Sequence, residues 1–149
     1  MKRYIFIPFL ILFLVLLGKI LFFKKKEKKV SRSYSEIKVE IINCSGRYEI
    51  GKEILEDLRQ RGFNVYDVVF DQDTLSESWV VERSDEQGEN ALILAKEIAR
   101  RKKVGIFRKE ILIMPKIKKE INRNLFIDVS LILGKDYKIF FPKVFSEKR

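Results

Sequence analysis

Hydrophobic and polar positions divide the chain into an apolar start and a patterned remainder. Tyr4 to Phe23 is an almost unbroken apolar run, and its roughly 20 residues at about 1.5 Å each match the bilayer core of about 30 Å. A lysine-rich segment follows, and no small-residue cleavage site precedes it, as a removed signal peptide would require. The pattern predicts a transmembrane anchor over residues 1–23, with the lipid bilayer as its partner, and a basic, serine-rich stalk over residues 24–35.

Beyond the stalk, the apolar positions first alternate and then recur at helical spacing. Ile37, Val39 and Ile41 alternate with Lys38, Glu40 and Ile42. This period of two predicts a strand with one buried face that ends at Asn43. A turn follows, with Ser45 as a possible helix N-cap. A helix is then predicted over residues 47–61, with Gly62 at its C-cap. Its apolar face is formed by Ile50, Ile54, Leu55 and Leu58.

The remaining pattern predicts more strands and a second helix. Ser84 to Gln87 has the form of a capping box, and the helix that it opens is expected to end near the cations of residues 100–103. The connection over residues 116–124 has no clear form. Strands are predicted at residues 63–70, 79–81, 111–114 and 127–134.

These elements predict an α/β (α+β) fold, a two-layer α/β sandwich in the order β-α-β-β-α-β(β). Both helices are expected to cover one face of a small sheet. The domain is predicted to span residues 36–140, and residues 141–149 to form a basic tail.

Charge is distributed unevenly along the chain. Residues 1–35 hold nine of the 31 Lys and Arg residues and one of the 21 acids, so 22 basic and 20 acidic residues remain for the domain. A nearly neutral domain does not favour nucleic acid as a partner. Residues 36–100 are net acidic and residues 101–149 net basic. These halves either complement each other in the fold or leave a basic face for an anionic polymer or lipid.

Candidate chemistry is sparse. The chain has no His and a single Cys, Cys44, so a cysteine nucleophile would lack its usual base, and Asp71 with Asp73 have no third metal ligand nearby in sequence. No catalytic residue, metal or cofactor is predicted. Two ligand sites are proposed from sequence: a backbone anion cradle in the turn after the first strand and a basic recognition face. Their residues are Asn43, Ser45 and Gly46 in the turn, and Lys116, Lys118, Lys119 and Arg123 on the face.

Three segments resemble a known family. Residues 39–46, 58–65 and 128–137 are similar to the C-terminal domain that follows the catalytic domain in LytR-CpsA-Psr cell-envelope proteins. The resemblance covers residues 36–137, with Cys44 where family members usually have Gly, and with a longer and more charged stretch over residues 102–125. It implies an envelope-facing, non-catalytic accessory or binding module.

The resemblance and the charges disagree about membrane orientation. The basic residues that follow the anchor favour a cytoplasmic domain, whereas the resemblance implies an extracytoplasmic one. The leading hypothesis is a single-pass cell-membrane protein whose outer domain binds a cell-wall polymer or an envelope protein. The alternative is a cytoplasm-facing, membrane-tethered module that binds a protein partner or RNA.

Overall fold

The computed structural model describes residues 33–106 and 108–146, which belong to one compact unit spanning residues 32–149. Two short 3-10 turns, Tyr34–Glu36 and Arg123–Leu125, accompany the strands and helices. In chain order the elements are β1 (Lys38–Asn43), α1 (Ile50–Gln60), β2 (Asn64–Phe70), β3 (Trp79–Glu82), α2 (Glu89–Ile98), β4 (Arg100–Val104), β5 (Lys109–Ile113), β6 (Lys116–Lys119), β7 (Val129–Leu133), α3 (Tyr137–Phe140) and α4 (Pro142–Ser146).

The main sheet has five strands in the order β2-β1-β7-β3-β6. Its centre is β7, which pairs in parallel with β1 and antiparallel with β3. The outer strands β2 and β6 run parallel to β1 and β3, respectively. Each outer strand is therefore the second strand of a parallel pair whose crossover contains a helix, α1 for β2 and α2 for β6. The mixed α/β class predicted from the sequence is confirmed.

The hydrophobic core lies between one face of this sheet and the helices. Alternate residues of β1 and β7, such as Ile41 and Leu131, are fully buried and share a single cluster with the apolar stripes of α1 and α2. Each such Ile or Leu side chain contributes roughly 1.5–3 kcal/mol on leaving water. Since both stripes enter the same cluster, the predicted placement of the two helices on one face is confirmed. The described core lies within residues 37–141, so a protein comprising residues 32–149 contains all of it.

Helix α1 ends where the sequence predicts but starts later. Gly62 has a φ of +94°, and the amide of Phe63 donates to the Leu58 carbonyl at 3.1 Å while the Gly62 amide donates to Arg59 at 2.9 Å. These two bonds form a Schellman motif, which favours glycine in the left-handed position. The start at residue 47 was wrong, because a turn occupies the residues before Ile50.

Neither predicted N-cap is present. The position before α1 is Glu49, so Ser45 does not cap that helix. Gly88 precedes α2 in a left-handed conformation without a side-chain cap, so the predicted capping box of Ser84 and Gln87 is also wrong. Two carboxylates bind the free amides instead: Asp85 accepts from Glu89 at 2.8 Å, and buried Glu82 accepts from the Ala91 amide at 2.8 Å. The first turn of α2 is therefore capped by acids that precede the helix, as orphan helical amides require.

Helix α2 ends at Ile98, close to the basic residues 100–103 as predicted, but this basic segment is itself part of a strand. It forms β4, which pairs antiparallel with β5 in a separate two-stranded sheet. The predicted strand at residues 111–114 corresponds to β5, and the connection without a clear form contains β6.

The folded part continues past the predicted start of the basic tail. Phe141 is buried, and Val144 and Phe145 of α4 pack against the core.

The predicted anchor, Tyr4–Phe23, and the stalk up to Arg32 lie outside the described residues. Within the described ranges, each helix is too short or too polar to cross a bilayer.

Candidate functional site

One face of the five-stranded sheet carries side chains that point away from the helices. Successive residues of a strand face opposite sides, so Glu40 and Ile42 lie opposite the buried Val39 and Ile41. The strand register aligns such residues into two neighbouring rows, which together we name the open face. One row is Val69, Ile42, Ile132, Trp79 and Lys116, and the other is Asp67, Glu40, Ser130, Val81 and Lys118.

The first row is apolar and ends in a cation. Ile42, Ile132 and Trp79 are half-buried, and Val69 is 43% exposed. Within the described residues, none of these side chains belongs to the core cluster or packs against it. Neighbouring strands lie about 4.8 Å apart, so the four apolar residues form a strip of about 15 Å. The ammonium of Lys116 lies 5.2 Å from the Trp79 ring centroid, in cation-π range.

The second row contains a chain of hydrogen bonds. The Ser130 hydroxyl donates to the Glu40 carboxylate at 3.0 Å and accepts from Arg83 Nε at 2.9 Å. Arg83, which directly follows β3, also donates to the Glu120 carboxylate at 2.9 Å. These bonds fix the orientation of two carboxylates and a guanidinium beside the apolar row. The guanidinium is a hydrogen-bond donor and the carboxylates are acceptors.

The two cations near Glu120 affect its protonation. A hydrogen bond from Lys118 at 2.5 Å, supported by the charges of Lys118 and Arg83, holds the pKa of the Glu120 carboxyl below its ordinary value, against a smaller opposing effect of burial. Glu120 is therefore ionised at neutral pH. The open face consequently presents fixed charges of both signs.

The turn residues proposed as an anion cradle are bonded to one another. The Asn43 amide nitrogen donates to the Arg47 carbonyl at 2.8 Å, and its oxygen accepts from the Ser45 hydroxyl at 2.6 Å. Gly46 has a φ of +80° and lies close to Thr74. Asn43 and Ser45 are buried, and their bonds organise the turn between β1 and α1. Anion binding at this turn remains a sequence-based prediction.

Cys44 is in the same turn and is buried. Burial raises the pKa of its thiol, and the nearby charges of Asp71 and Asp73 raise it further. A protonated, buried thiol is a poor nucleophile. Asp71 also accepts a bond from the Asp73 amide at 3.0 Å, which is typical of a turn.

The basic recognition face predicted from the sequence is divided in the structure. Lys116 and Lys118 belong to the open face, whereas Lys119 extends to the other side, where its ammonium donates to the Glu86 carbonyl at 3.4 Å. Arg123 pairs with the Glu86 carboxylate at 3.4 Å.

Three of these cations are paired with acids in the structure. Lys116 pairs with Glu77, Lys118 with Glu120 and Arg123 with Glu86. Glu77 and Glu86 lie about 40 residues away in sequence but close in space, so the local charge is much less positive than the sequence run indicates.

Sequence reasoning missed Trp79, Arg83, Glu40 and Ser130 as site residues. One signal was available: Trp79 is the only Trp in the chain and lies at a strand position where the core does not require it. The others are polar residues in or next to strands, and only the pairing of strands distant in sequence brings them together. Within the described residues, no group of three or more His, Cys, Asp or Glu side chains is arranged to hold a metal ion.

Residues 36–137 match the family model described as LytR cell envelope-related transcriptional attenuator. The chain belongs to this family. The match covers β1 through β7 and reaches the first residue of α3, so it contains the whole open face, and it confirms the family predicted from the sequence. The LytR C-terminal domain is a cell-envelope accessory domain.

No curated protein and no solved structure matches the chain.

Proposed function

We propose that this domain is a non-catalytic accessory module that binds a glycan of the cell wall along the open face. The observation that carries the proposal is the pair of rows on that face, in which the apolar side chains from Val69 to Trp79 lie beside a row of fixed donors and acceptors. Membership of a cell-envelope family supports a ligand from the same compartment.

The chemistry of a sugar chain matches the two rows. A pyranose ring has an apolar face of C–H groups and a rim of hydroxyls. The apolar row offers a flat strip for the faces, with Trp79 as the largest contact area. Arg83, Glu40 and Glu120, which are linked by hydrogen bonds beside this row, supply donors and acceptors for the hydroxyls of the rim. Specific sites commonly combine an apolar surface with a few oriented polar groups.

Charge favours a sugar backbone over a polyanion as the ligand. Asp67, Glu40 and Glu120 lie on or beside the open face together with Lys116 and Lys118. Arg83 and these two lysines balance the three carboxylates, so the face has no net positive charge to attract a polyanion, whereas neutral hydroxyls bond to either sign.

The experiment uses the single Trp as its reporter. A protein of residues 32–149 is titrated with soluble peptidoglycan fragments, and the Trp79 emission is followed. We expect a saturable change for the parent protein. Trp79→Phe, measured by calorimetry because it removes the reporter, should bind more weakly, because Phe presents a smaller aromatic surface to the sugar.

The matched control is Tyr66→Phe. Tyr66 is an aromatic residue of β2 that is 73% exposed and outside both rows, at the β-bulge. The Tyr66→Phe protein should bind the peptidoglycan fragments as tightly as the parent protein does. Full binding by a folded Trp79→Phe protein would contradict the proposed location. If neutralising Lys116, Lys118, Lys119 and Arg123 together abolished binding instead, the basic face would be the site.

The proposal also includes the predicted anchor, with the domain outside the cytoplasmic membrane. The length of the apolar run and the cell-envelope family support it. A reporter fused after Arg149 should be active only outside the membrane. Activity only inside would favour the alternative, a cytoplasm-facing module that binds a protein partner or RNA.

A further inference from the structure

The β4–β5 hairpin stands apart from the main sheet. In the part of the chain that the structure describes, its two strands pair only with each other. All described residues from Arg101 to Leu112 are exposed. Its base is fixed, since Ile113 packs against the core and Arg100 Nε donates to the Phe140 carbonyl at 3.3 Å. The hairpin therefore projects from the domain on a secured base.

The tip of the hairpin exposes apolar side chains. Ile106 is 97% exposed and Val104 is 44% exposed. Arg108 adopts a φ of +48° in the turn, and its amide donates to the Gly105 carbonyl at 3.1 Å. Phe107 lies outside the described residues. A fully exposed Ile at the end of a projecting hairpin costs free energy in water, and this cost is removed when an apolar phase accepts it.

Cations surround this apolar tip. Residues 100–113 contain six Lys or Arg residues and one acid, Glu110. Arg101 and Lys103 approach the Glu110 carboxylate only at 3.8 and 3.9 Å. Within the described ranges, Lys102, Arg108 and Lys109 have no ion-pair partner. This differs from the cations of β6, where Lys116 and Lys118 are each paired with an acid.

We propose that the β4–β5 hairpin docks the domain onto an anionic lipid bilayer. Ile106 enters the boundary between headgroups and acyl chains, and the flanking cations contact lipid phosphates. The apolar tip distinguishes a bilayer from a polyanion in solution, because only the bilayer offers an apolar layer directly beneath its charges. The open face and the hairpin then have different ligands.

A flotation assay tests this with the protein of residues 32–149, which lacks the predicted anchor and contains the whole described core. Vesicles are either neutral phosphatidylcholine or phosphatidylcholine with about one-third phosphatidylglycerol. We expect binding to the anionic vesicles only. Ile106→Ser should weaken it about tenfold, as expected when most of an Ile side chain loses its burial. Arg108→Gln with Lys109→Gln should weaken it about 25-fold, at about fivefold per charge.

Matched controls separate the hairpin from general surface effects. Ile121→Ser changes an Ile that is 40% exposed and outside the hairpin, and Lys52→Gln with Lys96→Gln removes two exposed helical charges. The vesicle affinity of both proteins should lie within about twofold of the parent's, because salt screens charges that are far from the bilayer surface. Circular dichroism confirms that each variant is folded.

Three results would overturn the proposal. Equal binding to neutral and anionic vesicles would remove the role of the cations. Unchanged vesicle binding by Ile106→Ser would remove the role of the tip. No binding to either vesicle, with charge-dependent binding of an anionic wall polymer instead, would make the hairpin a polyanion site. Weaker glycan binding by Trp79→Phe with intact vesicle binding would show that the open face and the hairpin bind independently.

Discussion

Glu82 is a fully buried carboxylate whose bonds form the N-terminus of α2. One oxygen accepts from the Ala91 amide at 2.8 Å, and the other accepts from the Asp85 amide at 3.0 Å and the Asn90 side chain at 3.2 Å. Glu82 itself is 0% exposed, and no described Lys or Arg forms an ion pair with it. Its negative charge is therefore stabilised by amide groups and by the helix dipole.

Substitution of Glu82 should reduce stability by a predictable amount. Glu82→Gln keeps one carbonyl oxygen but turns a donor toward an amide, so one charge-assisted bond of about 1.5–3 kcal/mol is lost. We expect about 2 kcal/mol. Glu82→Ala removes the acceptor of the Ala91 and Asp85 amides and of the Asn90 side chain, at about 1–3 kcal/mol for each buried donor, and adds a cavity, which gives about 4 kcal/mol. Both substitutions also remove the cost of burying a charge, and this gain offsets part of the loss, so the values are upper estimates.

Urea denaturation of the protein of residues 32–149 measures both values. The matched control is Glu86→Gln, whose exposed side chain should change stability by no more than about 0.5 kcal/mol. A loss of 2 kcal/mol corresponds to roughly 8 °C in Tm for a domain of this size. Hydrogen exchange should be faster at the Ala91 amide in Glu82→Gln. A Glu82→Gln protein as stable as Glu86→Gln would refute this assignment of the cap.

Other features of the structure give further predictions. Gly62→Ala should cost about 1 kcal/mol by chemical denaturation, because its φ of +94° is unfavourable for a side chain. Gly134→Ala should cost more, about 3 kcal/mol, because a Cβ there would overlap the backbone of Glu77; equal losses would contradict this difference. Cys44 should react slowly with iodoacetamide at pH 8 in the native protein and rapidly in denaturant, because burial raises the pKa of its thiol; equal rates would contradict burial. If Tyr4–Phe23 is an anchor, the full chain should resist alkaline extraction from membranes, whereas a protein without it should not bind a neutral bilayer.

Local patterns in the sequence were sufficient for the elements of the core. Each of these features depends on residues that are close in sequence. They are the alternation that ends at Asn43, the apolar stripe from Ile50 to Leu58, and the positive φ of Gly62. Such features are determined by neighbours in the chain, because strand and helix periods fix which side chains share a face. The family resemblance depended on the same local segments.

The tertiary structure decided which distant residues meet. The caps of α2 come from Glu82 and Asp85 and not from the local Ser84 motif, because packing of β3 against the helix brings these carboxylates to the free amides. Residues 100–103 form a strand because β5 supplies backbone hydrogen-bond partners for them.

The candidate site shows the same dependence on long-range contacts. Trp79, Ile132 and Ile42 align only because β7, the last strand in sequence, lies between β1 and β3. The acids that pair with Lys116 and Arg123 also come from distant segments. Charge and surface shape depend on separations in space, whereas a sequence pattern records separations along the chain. The sequence could therefore indicate the fold class but not the two aligned rows of the open face.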